Sequence, residues 1–167
     1  MFKSKELIDS LLANFDNIEI TNIMEEKHNR EYEGMIIYIG NYTYRSRLAK
    51  LTPKKKGFFV VFWEKDENNQ NQPYSFFESP DKLIISIMNG NMKGQFVFPK
   101  SKLLEKGILK NEDTKGKMAI RVYPSWEKDL NKSAAQTQKW QQEYFIDLSD
   151  GIDDQKKKLI DLYFGQV

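Results

Sequence analysis

A chain of 167 residues fits one domain, residues 1–167, and is long enough to bury a real core. It has no cysteine and a single histidine, which excludes disulfides, thiolate nucleophiles, iron–sulfur clusters, Cys-based zinc sites and any metal site that needs several histidines. The formal net charge of +2 conceals a segregation. Residues 1 to 34 hold four Lys or Arg against eight Asp or Glu, whereas residues 45 to 65 hold seven against Glu64 alone, an asymmetry that favours an anionic partner. The longest apolar runs, such as Leu83 to Met88, fall far below the ~20 residues that span a bilayer. Met1 to Ser10 carries Glu6 and Asp9 where a signal peptide carries an apolar core. The expectation is a cytoplasmic protein with no membrane partner.

In chain order, Ser4 precedes Leu7, Ile8, Leu11, Leu12 and Phe15, whose near-fourfold spacing predicts a helix with one apolar stripe and Ser4 as its cap. Met35 to Ile39 is an apolar, β-branched run followed by Gly40-Asn41, a two-residue turn signal. A second strand is predicted from Tyr42 to about Leu51, placing Thr43, Arg45, Arg47 and Ala49 on one face because strand side chains alternate. Pro53 ends it, and Lys54-Lys55-Lys56-Gly57 connects to Phe58–Trp63, too uniformly apolar for a solvated face and hence a central strand. The polar stretch Glu64 to Pro73 reads as an exposed loop.

Leu83 to Met88 and Gln95 to Phe98 form a further strand pair around Asn89-Gly90-Asn91, with a short helix from Pro99 to Lys106 stopped by Gly107. Met118 to Tyr123 is another strand. Ser133 to Ile146 is predicted as a helix capped by Ser133, with Trp140 and Tyr144 one turn apart on its buried side, and Asp153 to Phe164 as a terminal helix. This order implies an α/β or α+β layered domain, a mixed sheet flanked by helices.

Four motifs gather the basic and aromatic residues: Ala49-Lys50-Leu51-Thr52-Pro53-Lys54-Lys55-Lys56-Gly57, Gly94-Gln95-Phe96-Val97-Phe98-Pro99-Lys100, Ala119-Ile120-Arg121-Val122-Tyr123-Pro124-Ser125-Trp126 and Thr137-Gln138-Lys139-Trp140-Gln141. Through them, over roughly residues 30 to 146, the chain resembles the MepB family of small bacterial proteins. The resemblance implies a restriction-endonuclease-like fold and leaves the activity poorly defined.

An active domain of that fold holds Mg²⁺ between an Asp entering its second strand and the Glu of a Glu-x-Lys on its third. The predicted second strand offers Thr43, Arg45, Arg47, Ala49 and Lys50, and the third runs from Phe58 to Trp63 before Glu64 appears. The nuclease pattern is absent from both. A divergent Mg²⁺-dependent nuclease would have to draw on Glu31, Glu33 and Glu64 or Asp66. His28, the lone histidine, lies in an acidic stretch where a surface position is expected rather than a triad base. No cofactor other than that Mg²⁺ is implied.

Nucleic-acid binding, with DNA favoured over RNA, asks for cations to replace condensed counterions and aromatic or groove-directed side chains to add contact. Arg45, Arg47, Lys50, Lys54, Lys55 and Lys56 form one candidate cluster; Arg121, Trp126, Lys128, Lys132, Gln136 and Lys139 form a second. Trp140 is expected in the core, and Arg121 has the alternative of an internal ion pair with Glu105. The leading expectation is a binder of backbone phosphates without a competent nuclease site; an accessory module that meets an acidic protein partner is a third reading.

Overall fold

The computed structural model describes residues 2–167; Met1, the first residue of the acidic N-terminal stretch, lies outside them. Helix α1 (Lys3–Leu12) buries Leu7, Ile8, Leu11 and Leu12 on one stripe, as their spacing predicts. Its cap differs from expectation. The N-cap residue is Phe2, and Ser4 is buried inside the first turn. A carboxylate distant in sequence, Glu33, accepts from the backbone N–H groups of Lys3 (3.2 Å) and Ser4 (2.8 Å) and from Ser4 Oγ (2.6 Å). These are the free donors that a local cap otherwise satisfies.

Three antiparallel strands follow: β1 (Ile20–Glu25), β2 (Met35–Ile39) and β3 (Tyr42–Leu48). β1 is an addition to the sequence reading. It buries little, with only Ile20 and Ile23 half-covered, so it lacks the twofold alternation that marks a strand. Gly40, at φ +59°, turns β2 into β3. The strand predicted to reach Leu51 breaks at Ala49, and Lys50–Leu51 pairs as β4 in a second, three-stranded sheet.

The middle strand of that small sheet is β5 (Phe58–Val61). It is central there, as its apolar run predicts, yet it does not extend the meander of β2 and β3. The polar stretch after it carries a minimal hairpin, β6 (Glu64–Lys65) with β7 (Asn71–Gln72). β8 (Lys82–Asn89) returns to the main sheet parallel to β3, and β9 (Met92–Pro99) pairs with it antiparallel. Helix α2 (Lys100–Glu105) follows, then β10 (Ala119–Val122), which closes the small sheet beside β5.

Helix α3 (Lys132–Gln141) is capped by Asn131, whose side chain accepts from Ala134 N–H at 2.8 Å, rather than by Ser133. It ends before the predicted Ile146: a 3₁₀ turn at Gln142–Tyr144 leads into β11 (Phe145–Asp147), an edge strand on β9. A second 3₁₀ turn, Asp153–Gln155, precedes α4 (Lys156–Phe164). Among the described residues no helix is long and apolar enough to cross a membrane.

The main sheet runs β1-β2-β3-β8-β9-β11, the mixed sheet flanked by helices that the element order implies. Alternation along its central strands feeds two cores. Ile84 and Val97 face Leu7, Ile8, Leu159 and Tyr163 on the side of α1 and α4. Leu83, Ile85, Ile87, Phe96 and Phe98 face Phe58, Val60, Phe62, Leu103 and Val122 on the side of the small sheet and α2. Covered on both faces, β8 is buried from Lys82 through Ile87, which is why it reads as an unbroken apolar run. The small sheet, β4-β5-β10, rides on this second core and turns its outer face to solvent.

Candidate functional site

Alternation does bring Arg45 and Arg47 to one face of β3, but that face is covered. Arg47 is fully buried, and all five of its N–H donors are engaged. Nη1 donates to Glu26 and to Ser46 O (2.9 Å), Nη2 to Asn29 Oδ1 (3.0 Å) and Tyr74 Oη (3.2 Å), and Nε to Val61 O (3.1 Å). Arg45 lies 3.4 Å from the Tyr74 ring centroid and donates from Nε to the same Glu26. Its side chain is 12% exposed. Burial pushes the Glu26 carboxyl up, but Arg47 and Arg45 outweigh it and hold the group below the usual carboxylate range. Tyr74, which donates to Glu26 at 2.9 Å, is pushed up to about 12 by burial. The two arginines expected to meet phosphate are therefore an internal ionic cluster. Glu26, just beyond β1, is what covers them, and a strand pattern reports side but not cover.

The remaining basic residues converge elsewhere. The loop Thr52–Gly57, strand β10 and helix α3 enclose an open groove made of two adjoining cavities of about 400 and 460 Å³ that share Lys55, Arg121 and Tyr123. Lys54, Lys55, Lys56, Lys106, Lys117 and Arg121 line it, against one lining carboxylate, Asp129. None of these six cations has a carboxylate within 4.0 Å among the described residues. Of the first cluster Lys54, Lys55 and Lys56 line this groove, and of the second Arg121 does; Lys50 lies outside it on β4, 3.6 Å from Glu31.

Arg121 is held rather than free. Its Nη1 donates to Lys56 O (2.9 Å) and its Nη2 to Thr52 Oγ1 (2.6 Å), so the loop and β10 are clamped together and no ion pair with Glu105 forms. Lys102 takes Glu105 instead, at 2.7 Å. Gly57 lets the loop lie flush on β10. It adopts φ +80°, and a Cβ there would come within 2.7 Å of the Tyr123 ring.

Helix α3 turns Ser133, Ala134, Thr137, Trp140 and Gln141 toward the groove, while Lys132, Gln136 and Lys139 are exposed on the neighbouring face. Trp140 rests one side on Phe98, centroids 5.4 Å apart, and carries Lys106 Nζ 5.3 Å from its ring. It is core on one side and groove wall on the other. Trp126 is structural, packed edge-on against Phe145 at 5.5 Å. Lys128 contributes its carbonyl, which accepts from Lys56 Nζ at 2.6 Å. Lys106, Lys117 and Phe59 enter the site without any signal in the sequence, because they come from elements far apart along the chain.

The carboxylates of the nuclease alternative do not assemble. Counted with β1 in place, the second and third strands are β2 and β3, and neither contains an Asp or Glu. Glu33 is committed to the start of α1. Glu31 is solvent-exposed and lies 3.6 Å from Lys50. Glu64 borders a separate hollow with Glu26, Trp63 and Tyr74, its carboxyl pushed up by burial. His28 is stacked on Trp63 at 5.4 Å. Among the described residues no group of three or more His, Asp or Glu is placed to hold a metal ion.

The family model described as MepB-like matches residues 26–147. The chain belongs to the MepB-like family. It is also similar to a crystal structure of MepB, at 48% identity and a TM-score of 0.77, over 88% of this chain and 97% of that one. A bacterial homing endonuclease aligns at 12% identity and a TM-score of 0.43, over 82% of this chain and 84% of its own. Among curated proteins, none matches the sequence. Three of the family-like motifs meet in the groove. The first supplies the lysine loop, the third Arg121 and Tyr123, and the fourth Thr137, Trp140 and Gln141.

Proposed function

We propose that this protein binds nucleic acid, DNA in preference to RNA, along the groove between the lysine loop, β10 and α3, and does so without hydrolysing it. The observation that carries this reading is six cations facing one carboxylate in a single concave surface. Such a surface replaces the counterions condensed on a phosphate backbone and gains affinity by releasing them. Arg121 is the best placed of the six. Its guanidinium is already oriented by Lys56 and Thr52, so little side-chain freedom is lost when it meets an anion. Contacts to phosphate carry no sequence information, and the binding is weakly sequence-specific.

The test is fluorescence anisotropy with labelled DNA at two salt concentrations, with and without Mg²⁺, followed by a gel of the same samples. Salt-sensitive binding with the DNA left intact is the expected result. Cleavage in Mg²⁺ overturns the non-hydrolytic part, and no binding at low salt overturns the reading and leaves an acidic protein surface as the partner to seek.

A further inference from the structure

We infer that the groove takes single-stranded nucleic acid, with bases stacked on Phe59 and Trp140. The inference rests on the phosphate-binding reading above and adds the part of the ligand that lies between the phosphates. Across the small sheet, Phe59 is in register with Lys50 on β4 and with Arg121 on β10. One outward row therefore reads cation, aromatic ring, cation. Arg121 Cζ lies 5.8 Å from the Phe59 centroid, and Tyr32 meets the same ring edge-on at 6.3 Å. At the α3 wall Trp140, half-buried, lines the same cavity as Phe59 and carries Lys106 over its ring.

This alternation suits a single strand and not a duplex. A base pair inside a duplex hides both its faces in the stack and offers a protein only edges and phosphates. Aromatic faces set inside a concave basic cavity have nothing to meet on such a ligand. An unpaired strand presents a π-face and a phosphate at every nucleotide, and aromatic platforms between cations are the usual means of holding one. The cavity holding Phe59 and Trp140 is about 400 Å³, within the range of sites that enclose a small molecule.

The experiment compares three labelled ligands at one low salt concentration: an oligothymidylate dodecamer, a dodecamer of abasic deoxyribose phosphate, and a hairpin duplex of similar charge. Thymidylate is expected to bind about tenfold tighter than the abasic strand, a stacking contribution of ordinary size, and to quench tryptophan fluorescence in a way that Trp140→Leu abolishes. Trp140→Leu and Phe59→Leu keep apolar packing; each is expected to lower thymidylate affinity toward the abasic value by a factor several times larger than any change in abasic affinity. If Trp140→Leu does not fold, Phe59→Leu on the outer sheet face supplies the same comparison. Equal affinity for thymidylate and abasic strands, or tighter binding of the duplex, overturns the inference while the phosphate reading stands. Failure of all three ligands to bind overturns both.

Discussion

Arg47 and Glu26 form the most buried ion pair among the described residues, a fully buried guanidinium on a carboxylate that also receives Arg45 and the Tyr74 hydroxyl. Breaking a buried pair from one side strands the other charge, at a cost of about 3–5 kcal/mol. Glu26→Gln and Arg47→Ala are each expected to lower unfolding stability by about that amount in urea titrations. The acid limb supplies a second readout. Glu26 has a folded pKa below its unfolded one, so its contribution is complete above the ordinary carboxylate range and is lost as pH falls through the depressed value. The wild-type advantage over Glu26→Gln should therefore shrink on acidification; a gap that stays constant from neutral pH to acid unfolding rejects the assignment.

Removing a groove cation has a different signature. Lys55 and Lys117 are exposed and have no carboxylate within 4.0 Å among the described residues, so Lys55→Ala and Lys117→Ala should leave the melting temperature within a degree or so. Each should flatten the slope of log affinity against log salt by about 0.7 on a single strand. Arg45→Ala, at the covered face of β3, should reduce stability and leave that slope unchanged. If Arg45→Ala flattens the slope and the lysine variants do not, the groove is the wrong surface.

How much of this was readable beforehand follows from what a sequence pattern encodes. Twofold alternation and turn residues are local, so β2, β3, β8, β9 and the helix stripes carry their own signals, and the alternation that joins Arg45 to Arg47 was correct. What lies over a face is not local. Glu26 reaches those arginines from the end of β1, a strand too exposed to show alternation, so an interior cluster looked like a phosphate-binding row. The groove was half legible: Lys54–Lys56 and Arg121 stand out as basic residues. Lys106 and Lys117, by contrast, join them only because β10 folds back beside β5. Trp140 shows a third limit, since helical spacing identifies its buried side but not that its other side lines a cavity.

Glu33 tests whether a carboxylate near β2 is structural or a metal ligand. It accepts two backbone N–H groups and a hydroxyl at the start of α1, the work of a helix cap whose charge also complements the helix dipole. Glu33→Ala should cost about 1–2 kcal/mol and raise amide exchange in the first turn of α1, with Ser4 the residue most affected. Mg²⁺ should shift the melting temperature of wild type and variant equally; a stabilisation by Mg²⁺ that only the wild type shows would place Glu33 in a metal site after all.

Lys82 is the other buried charged side chain among the described residues, 2% exposed, with Nζ donating to Leu162 O at 2.5 Å where α4 ends over the sheet. Burial lowers its pKa to about 8, against a partial counter-effect from Asp81. Below about pH 8 the folded protein carries this ammonium at a cost. Between that value and the ordinary lysine value of 10.5 the unfolded chain holds the extra proton, so this group makes stability rise with pH. Lys82→Met removes the penalty along with the hydrogen bond to Leu162, and we expect a net gain of about 1 kcal/mol near pH 7. The hydrogen-bond loss shifts the variant at both pH values alike, so the change in the gap isolates the charge. Denaturant titrations at neutral pH and near pH 9.5 should show the advantage of Lys82→Met narrowing at the higher pH. An advantage that is flat or grows with pH would mean that Lys82 keeps its proton, and that α4 docks on a solvated ammonium rather than a buried one.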